Sequence, residues 1–152
     1  MSTFDADVHL DCLNHIRDTL LGLTSVLDEL RVAPSEVKIR RWPWSDQKIW
    51  PGITIYPDRE EFGVGTCSTD DIGYGCAVSY VRSSGKDLES NLNRPIIFRS
   101  EVRSRFHNQP IPVACVFTCK VEYGGFLMPK RFAESYDVSS LLIRCWNEEE
   151  RQ

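Results

Sequence analysis

Apolar positions Leu13, Ile16, Leu20, Leu23, Leu27 and Leu30 recur at steps of three, four, three, four and three, the spacing that draws one stripe along a helix. The stripe predicts a single amphipathic helix. Asp5, Asp7 and Asp11 stand at its start, where the helix dipole favours them; Gly22 weakens its interior and Pro34 ends it. The pattern then changes to alternation. Val37 to Arg41 reads as a short strand, and Ile53 and Ile55 alternate with Thr54 and Tyr56 between Pro51-Gly52 and Pro57, as in a strand of a sheet covered on one side. After it, 58–71 is polar and acidic and reads as a long hairpin whose tip projects from the body. The returning strand carries Ile72, Tyr74, Cys76, Val78 and Tyr80 on one face and Gly73, Gly75, Ala77 and Ser79 on the other. That small face suggests a place for a helix to approach closely.

A second helix is expected from about Pro95, with Phe98, Val102 and Phe106 toward the core and Arg99, Arg103 and Arg105 elsewhere. Val113 to Tyr123 alternates as a strand with Val113, Cys115, Phe117, Cys119, Val121 and Tyr123 on one face. Val138 to Trp146 returns antiparallel. The segment 42–50, with Pro43 inside it, Pro51 just after it and three tryptophans, has no period and reads as a loop. The sum is an α+β fold: one domain over 1–152, a mainly antiparallel β-sheet with two α-helices packed on one face, and flexible ends at 1–5 and 148–152.

Composition narrows the chemistry. With 152 residues, 41% hydrophobic and 26% charged, the chain has the make-up of an ordinary globular domain able to bury a core without staples. No apolar run is long enough to span a bilayer and no secretory signal opens the chain, so a reducing cytoplasm is expected. There the six cysteines, Cys12, Cys67, Cys76, Cys115, Cys119 and Cys145, read as small buried hydrophobes rather than disulfides. A net charge of -4 argues against a general nucleic-acid binder.

No catalytic motif stands out. Asp5, Asp7, His9 and Asp11 would converge on a metal if extended but fan apart in a helix. Cys115 and Cys119 lie roughly 13 Å apart along a strand, too far for one ion. A cysteine-histidine nucleophile pair has no local signature here. Gly63-Val64-Gly65 and Gly73-Tyr74-Gly75 lead into neither a lysine nor a helix and are turn or close-packing glycines. The carboxylates Asp58, Glu60, Glu61, Asp70 and Asp71 sit on a hairpin tip that is a poor place for acid-base work. Arg40-Arg41-Trp42-Pro43-Trp44 mixes guanidinium and indole groups as single-strand platforms do, though in an acidic chain a strand end with core tryptophans is the simpler account. An acidic hairpin and a basic set of Arg99, Arg103, Arg105, Lys130 and Arg131 would let copies pair head to tail, a contact that can close into a ring.

The segments "WPGITIYPDREE", "DIGYGCAVSYV", "DLESNL", "VACVFTCKVEYGG" and "SSLLIRCWNEE", behind an N-terminal amphipathic helix, resemble the tail-terminator and tail-completion proteins of long-tailed bacteriophages. The resemblance covers about Leu13 to Glu149. It implies a non-enzymatic virion protein without cofactor or metal, assembled in the host cytoplasm as a homo-oligomer, a hexameric ring. That ring would cap the tail tube protein and end its polymerisation. It would also face the head-tail connector or stopper protein and pass DNA only through its lumen, with no membrane contact. Glu60, Glu61, Asp70, Asp71, Arg99, Arg103, Arg105, Lys130 and Arg131 would then be subunit-interface residues. Another neck component, or a small cytoplasmic enzyme or ligand-binding domain, are the competing expectations.

Overall fold

The apolar stripe does form helix, but in two pieces. In the computed structural model, which describes residues 6–40, 51–63, 69–83, 92–113, 116–123 and 136–150, α1 spans Ala6–Leu21 and α2 spans Thr24–Leu30. Gly22 closes α1, its N–H bonding the carbonyls of Asp18 at 3.1 Å and Thr19 at 3.2 Å. Leu23 then takes a non-helical φ of −87° and ψ of 61° before the helix resumes. The stripe survives this break: Leu13, Ile16, Leu20, Leu27 and Leu30 are buried, and Leu23 packs against the same core. Arg31 ends α2 in the left-handed region at φ 57°.

A 3-10 turn at Pro34–Glu36 leads into β1 (Val37–Ile39), shorter than expected. The other strands are β2 (Gly52–Gly63), β3 (Thr69–Ser83), β4 (Val116–Tyr123) and β5 (Tyr136–Glu150), with α3 (Asn93–Phe106) between β3 and β4. The sheet order is β1-β2-β3-β5-β4. Every pairing is antiparallel except β1 with β2, which is parallel. The fold is α+β in one domain, as the alternation predicted. Helices α1, α2 and α3 share one face of the sheet and one core, in which Ile16, Leu30, Ile55, Tyr74, Val78, Tyr80, Phe98 and Ile143 are all but sealed from solvent.

Several strand expectations need correction. Pro57 does not close its strand; β2 continues through it to Gly63. Arg40 donates to the Ile55 carbonyl at 2.8 Å, so Ile55 and, two residues on, Pro57 turn their backbone groups to the outer edge, where β1 has already ended. A missing N–H is harmless there. Phe117 is not on the core face. Val116 pairs with Asn147 and Thr118 with Trp146, so Phe117 is one extra residue, a bulge. It is half exposed while Val116, Cys119 and Val121 are buried. Nor is 148–150 a free end: Glu148, Glu149 and Glu150 pair with Asp71, Asp70 and Thr69.

No helix among the described residues packs on the glycine face. It is the face away from α1 to α3, and its neighbours Thr54, Ala77, Ser79, Val81, Val138 and Ser140 are buried as well, so the sheet is not covered on one side only. The hydroxyls of Ser79 and Ser140 meet there at 2.7 Å, meeting each other's bonding need at a buried strand pair.

Candidate functional site

Beyond the level where His9 of α1 reaches Gly75, the ends of β2 and β5 and the start of β3 form one end of the sheet, a blade that β4 still flanks as far as the Val116–Asn147 pair and that only Gly63, 69–71 and 148–150 pass. Its sequence is acidic. Asp58, Glu60, Glu61 and Phe62 are exposed on β2, Asp70 and Asp71 are half-buried on β3, and Glu148 is exposed on β5. Phe62 is 74% exposed, the most open large apolar side chain among the described residues. Glu60 and Glu61 of β2 and Asp70 and Asp71 of β3 therefore lie on paired strands.

The root of the blade is held by one buried cation. Arg144 of β5 is nearly sealed. Its Nε lies 2.9 Å from Glu61 Oε2 and 3.2 Å from Glu122 Oε1, and it donates to the Arg59 carbonyl at 3.2 Å. One guanidinium thus ties β5 to β2 on one side and β4 on the other. Glycines make room for it. A Cβ on Gly73 would stand 2.7 Å from Arg144 Cδ, and a Cβ on Gly75 would stand 2.6 Å from the Arg59 carbonyl oxygen, where β2 shifts register between Asp58 and Glu61.

The basic set divides. Arg103 and Arg105 are exposed on α3, the latter 3.9 Å from Glu101. Arg99 is not an outward residue: it is half-buried and donates to Ser139 Oγ at 3.2 Å and to the Ser140 carbonyl at 2.9 Å, so its first task is to fasten α3 to β5. Lys130 and Arg131 lie outside the described residues, as do the arginine-tryptophan segment from Arg41 and the cysteines Cys67 and Cys115.

A second cluster escaped sequence reasoning. Cys12 of α1, Cys76 of β3, Cys119 of β4 and Cys145 of β5 are all free and buried, and they meet one another around Cys145. Cys119 Sγ is 3.7 Å from Cys145 Sγ. His9, one helical turn before Cys12, lies on Tyr74 with ring centroids 5.1 Å apart and donates from Nε2 to the Gly75 carbonyl at 2.8 Å. A hydrogen bond from Cys145 outweighs burial and, with His9 beside it, lowers the Cys76 thiol to about 6. Hydrogen bonds with Cys119, Cys12 and Cys76, with burial behind them, push Cys145 up. Burial works against the His9 imidazolium, yet its bonds to Cys76 and the Gly75 carbonyl, helped by the field of Glu60, raise its pKa above 6.5. The available signal was positional: each cysteine sits on the core face of its element, and His9 is three residues before Cys12.

Among the described residues no group of three or more His, Cys, Asp or Glu side chains is placed to hold a metal ion, and the Asp7, His9 and Asp11 run is helical. No helix among them is long and apolar enough to cross a membrane. Comparison with protein-family models and with curated proteins finds nothing that matches this chain.

Proposed function

We propose that this protein is a ring-forming structural subunit of a long-tailed phage virion, the terminator that caps the tail tube and presents a joining surface to the head. The observation that carries the reading is the blade. One end of the sheet is acidic, with Phe62 exposed on it, while Arg103 and Arg105 stand on α3, against the body of the sheet. Two different complementary surfaces on one subunit favour head-to-tail contact, and such contacts close into rings when the rotation closes. The resemblance in segment order to tail-terminator proteins, together with the helix, strand, helix, strand succession, supports the same reading.

Interface roles go to Glu60, Asp70, Asp71, Arg103 and Arg105, and, outside the described residues, to Lys130 and Arg131. Arg99 and Glu61 act mainly within the subunit. The deciding experiment is electron microscopy of particles from the phage or prophage with this gene deleted. Overlong tubes beside tailless heads are expected. Normal-length free tails beside unconnected heads would replace the terminator with another neck component, and normal particles would overturn the structural reading altogether.

A further inference from the structure

Cys119 and Cys145 face each other across the β4–β5 ladder. The Cys119 N–H donates to the Gln109 carbonyl at 2.9 Å, and its carbonyl accepts from Asn108 N–H at 2.8 Å. Both backbone groups therefore point away from β5, and the pair occupies a non-hydrogen-bonded position of the ladder. In that position the Cα atoms of opposed residues are about 4.5 Å apart, inside the roughly 4.4–6.8 Å that disulfides span. The sulfurs already stand 3.7 Å apart on the same face of the sheet. A small side-chain rotation is all that separates contact from bonding. Cys76 is placed differently. It lies opposite Ile143, one ladder step from Cys145, and diagonal neighbours are roughly 7 Å apart, too far for a bond without backbone movement.

We propose that Cys119 and Cys145 form a redox-active dithiol, which a small peroxide converts into a cross-strand disulfide that staples edge strand β4 to β5. The chemistry balances with hydrogen peroxide as the oxidant. One thiol sulfur attacks a peroxide oxygen: an S–O bond forms, the O–O bond breaks, and the departing hydroxide leaves as water with the thiol proton. The second thiol sulfur attacks the sulfenic sulfur, the S–O bond breaks, and a second water leaves with the second proton. Two sulfurs are each oxidised by one electron and the peroxide is reduced by two. Both thiols are sealed from solvent in the folded state, which selects an uncharged, water-sized oxidant over bulky disulfides such as glutathione's. Because β4 is an edge strand, its outer side is held only by 107–109 among the described residues. Local opening there admits the oxidant.

The experiment treats the full reduced chain with millimolar hydrogen peroxide and maps its cysteines by mass spectrometry without reduction. The expected product has lost two hydrogens, carries a Cys119–Cys145 linkage, reverts with dithiothreitol, and melts roughly 10 °C higher than the reduced form, since the bond closes a loop of intermediate length. Cys76→Ala should keep the linkage, and Cys119→Ala and Cys145→Ala should lose it. If the alanine variants do not fold, the wild-type map decides by itself. A linkage through Cys76, Cys12, Cys67 or Cys115, a stable sulfenic acid at Cys76, or a chain left unoxidised would each overturn the proposal.

Discussion

Gly75 has no room for a side chain. A Cβ there would lie 2.6 Å from the Arg59 backbone oxygen, which cannot swing aside, whereas at Gly73 it would meet Arg144 Cδ at 2.7 Å, part of a side chain that can shift. Gly75→Ala should therefore cost about 3 kcal/mol and Gly73→Ala about 1–2, the latter through loosened bonds to Glu61 and Glu122, as read by urea unfolding. Equal costs would mean that the register shift in β2 yields as easily as an arginine. At His9 the sign of a pH effect follows from its raised pKa. Folding favours the imidazolium, so its contribution is complete below pH 6.5 and is lost as pH rises through the higher folded value. Cys76, Glu60 and Tyr74 face this ring. The stability gap between wild type and His9→Gln should narrow as pH rises above 6.5, and a gap that widens would refute the assignment. Little of this cluster was legible beforehand. The sequence places cysteines on core faces, but which four meet depends on strand order, and β5 lies between β3 and β4 only in the folded sheet.

At the scale of elements, α3 is fastened to the sheet by the half-buried Arg99, whereas Arg103 and Arg105 are exposed on the helix. A charged donor lost from two acceptors, one of them in the buried Ser140, costs about 2 kcal/mol. Arg99→Ala should show that loss in thermal melts, while Arg103→Glu and Arg105→Glu should stay within about 0.5 kcal/mol of wild type. The end of α2 argues in the other direction. Arg31 holds φ 57°, a conformation glycine adopts freely at helix C-termini, and its side chain is exposed. Arg31→Gly should gain about 0.5 kcal/mol, the relief of strain exceeding the added freedom of the unfolded chain. The elements themselves were readable because their signals are local. Leu13 to Leu30 marks one helical face, and Ile72 to Tyr80 one strand face. What could not be read were features set by neighbours. The stop at Gly22 is a backbone event inside an unbroken stripe, and the exposure of Phe117 follows from the pairing of Val116 with Asn147. The inward turn of Arg99 requires a serine pair 40 residues away. A period of 3.6 says which residues share a face, not whether a long side chain on its flank finds a partner.

At the scale of the molecule, the two charged surfaces give the ring reading a consequence that does not depend on any single contact. If Glu60, Asp70 and Asp71 of one subunit meet Arg103 and Arg105 of the next, the attraction is between exposed or half-buried groups and is screened over about 8 Å at physiological ionic strength, falling to roughly 3 Å at 1 M salt. Each exposed pair contributes only ~0.5 kcal/mol, so assembly must lean on the apolar contact that Phe62 supplies at the blade. Two substitutions therefore separate the contributions. Arg103→Glu with Arg105→Glu should slow assembly and erase its salt dependence, whereas Phe62→Ser should weaken the ring at every ionic strength by roughly 2 kcal/mol per interface. Both variants should remain folded, since neither position supports the core. The measurement is sedimentation velocity of purified protein, alone and with tube subunits, across a salt series. Restoration of assembly by pairing the arginine reversals with Glu60→Arg and Asp71→Arg would tie the two surfaces to each other, because a charge swap across one interface recovers what either reversal alone removes. A wild-type ring indifferent to salt, or one untouched by Phe62→Ser, would mean that the blade is not the contact and would shift the interface to another face of the subunit.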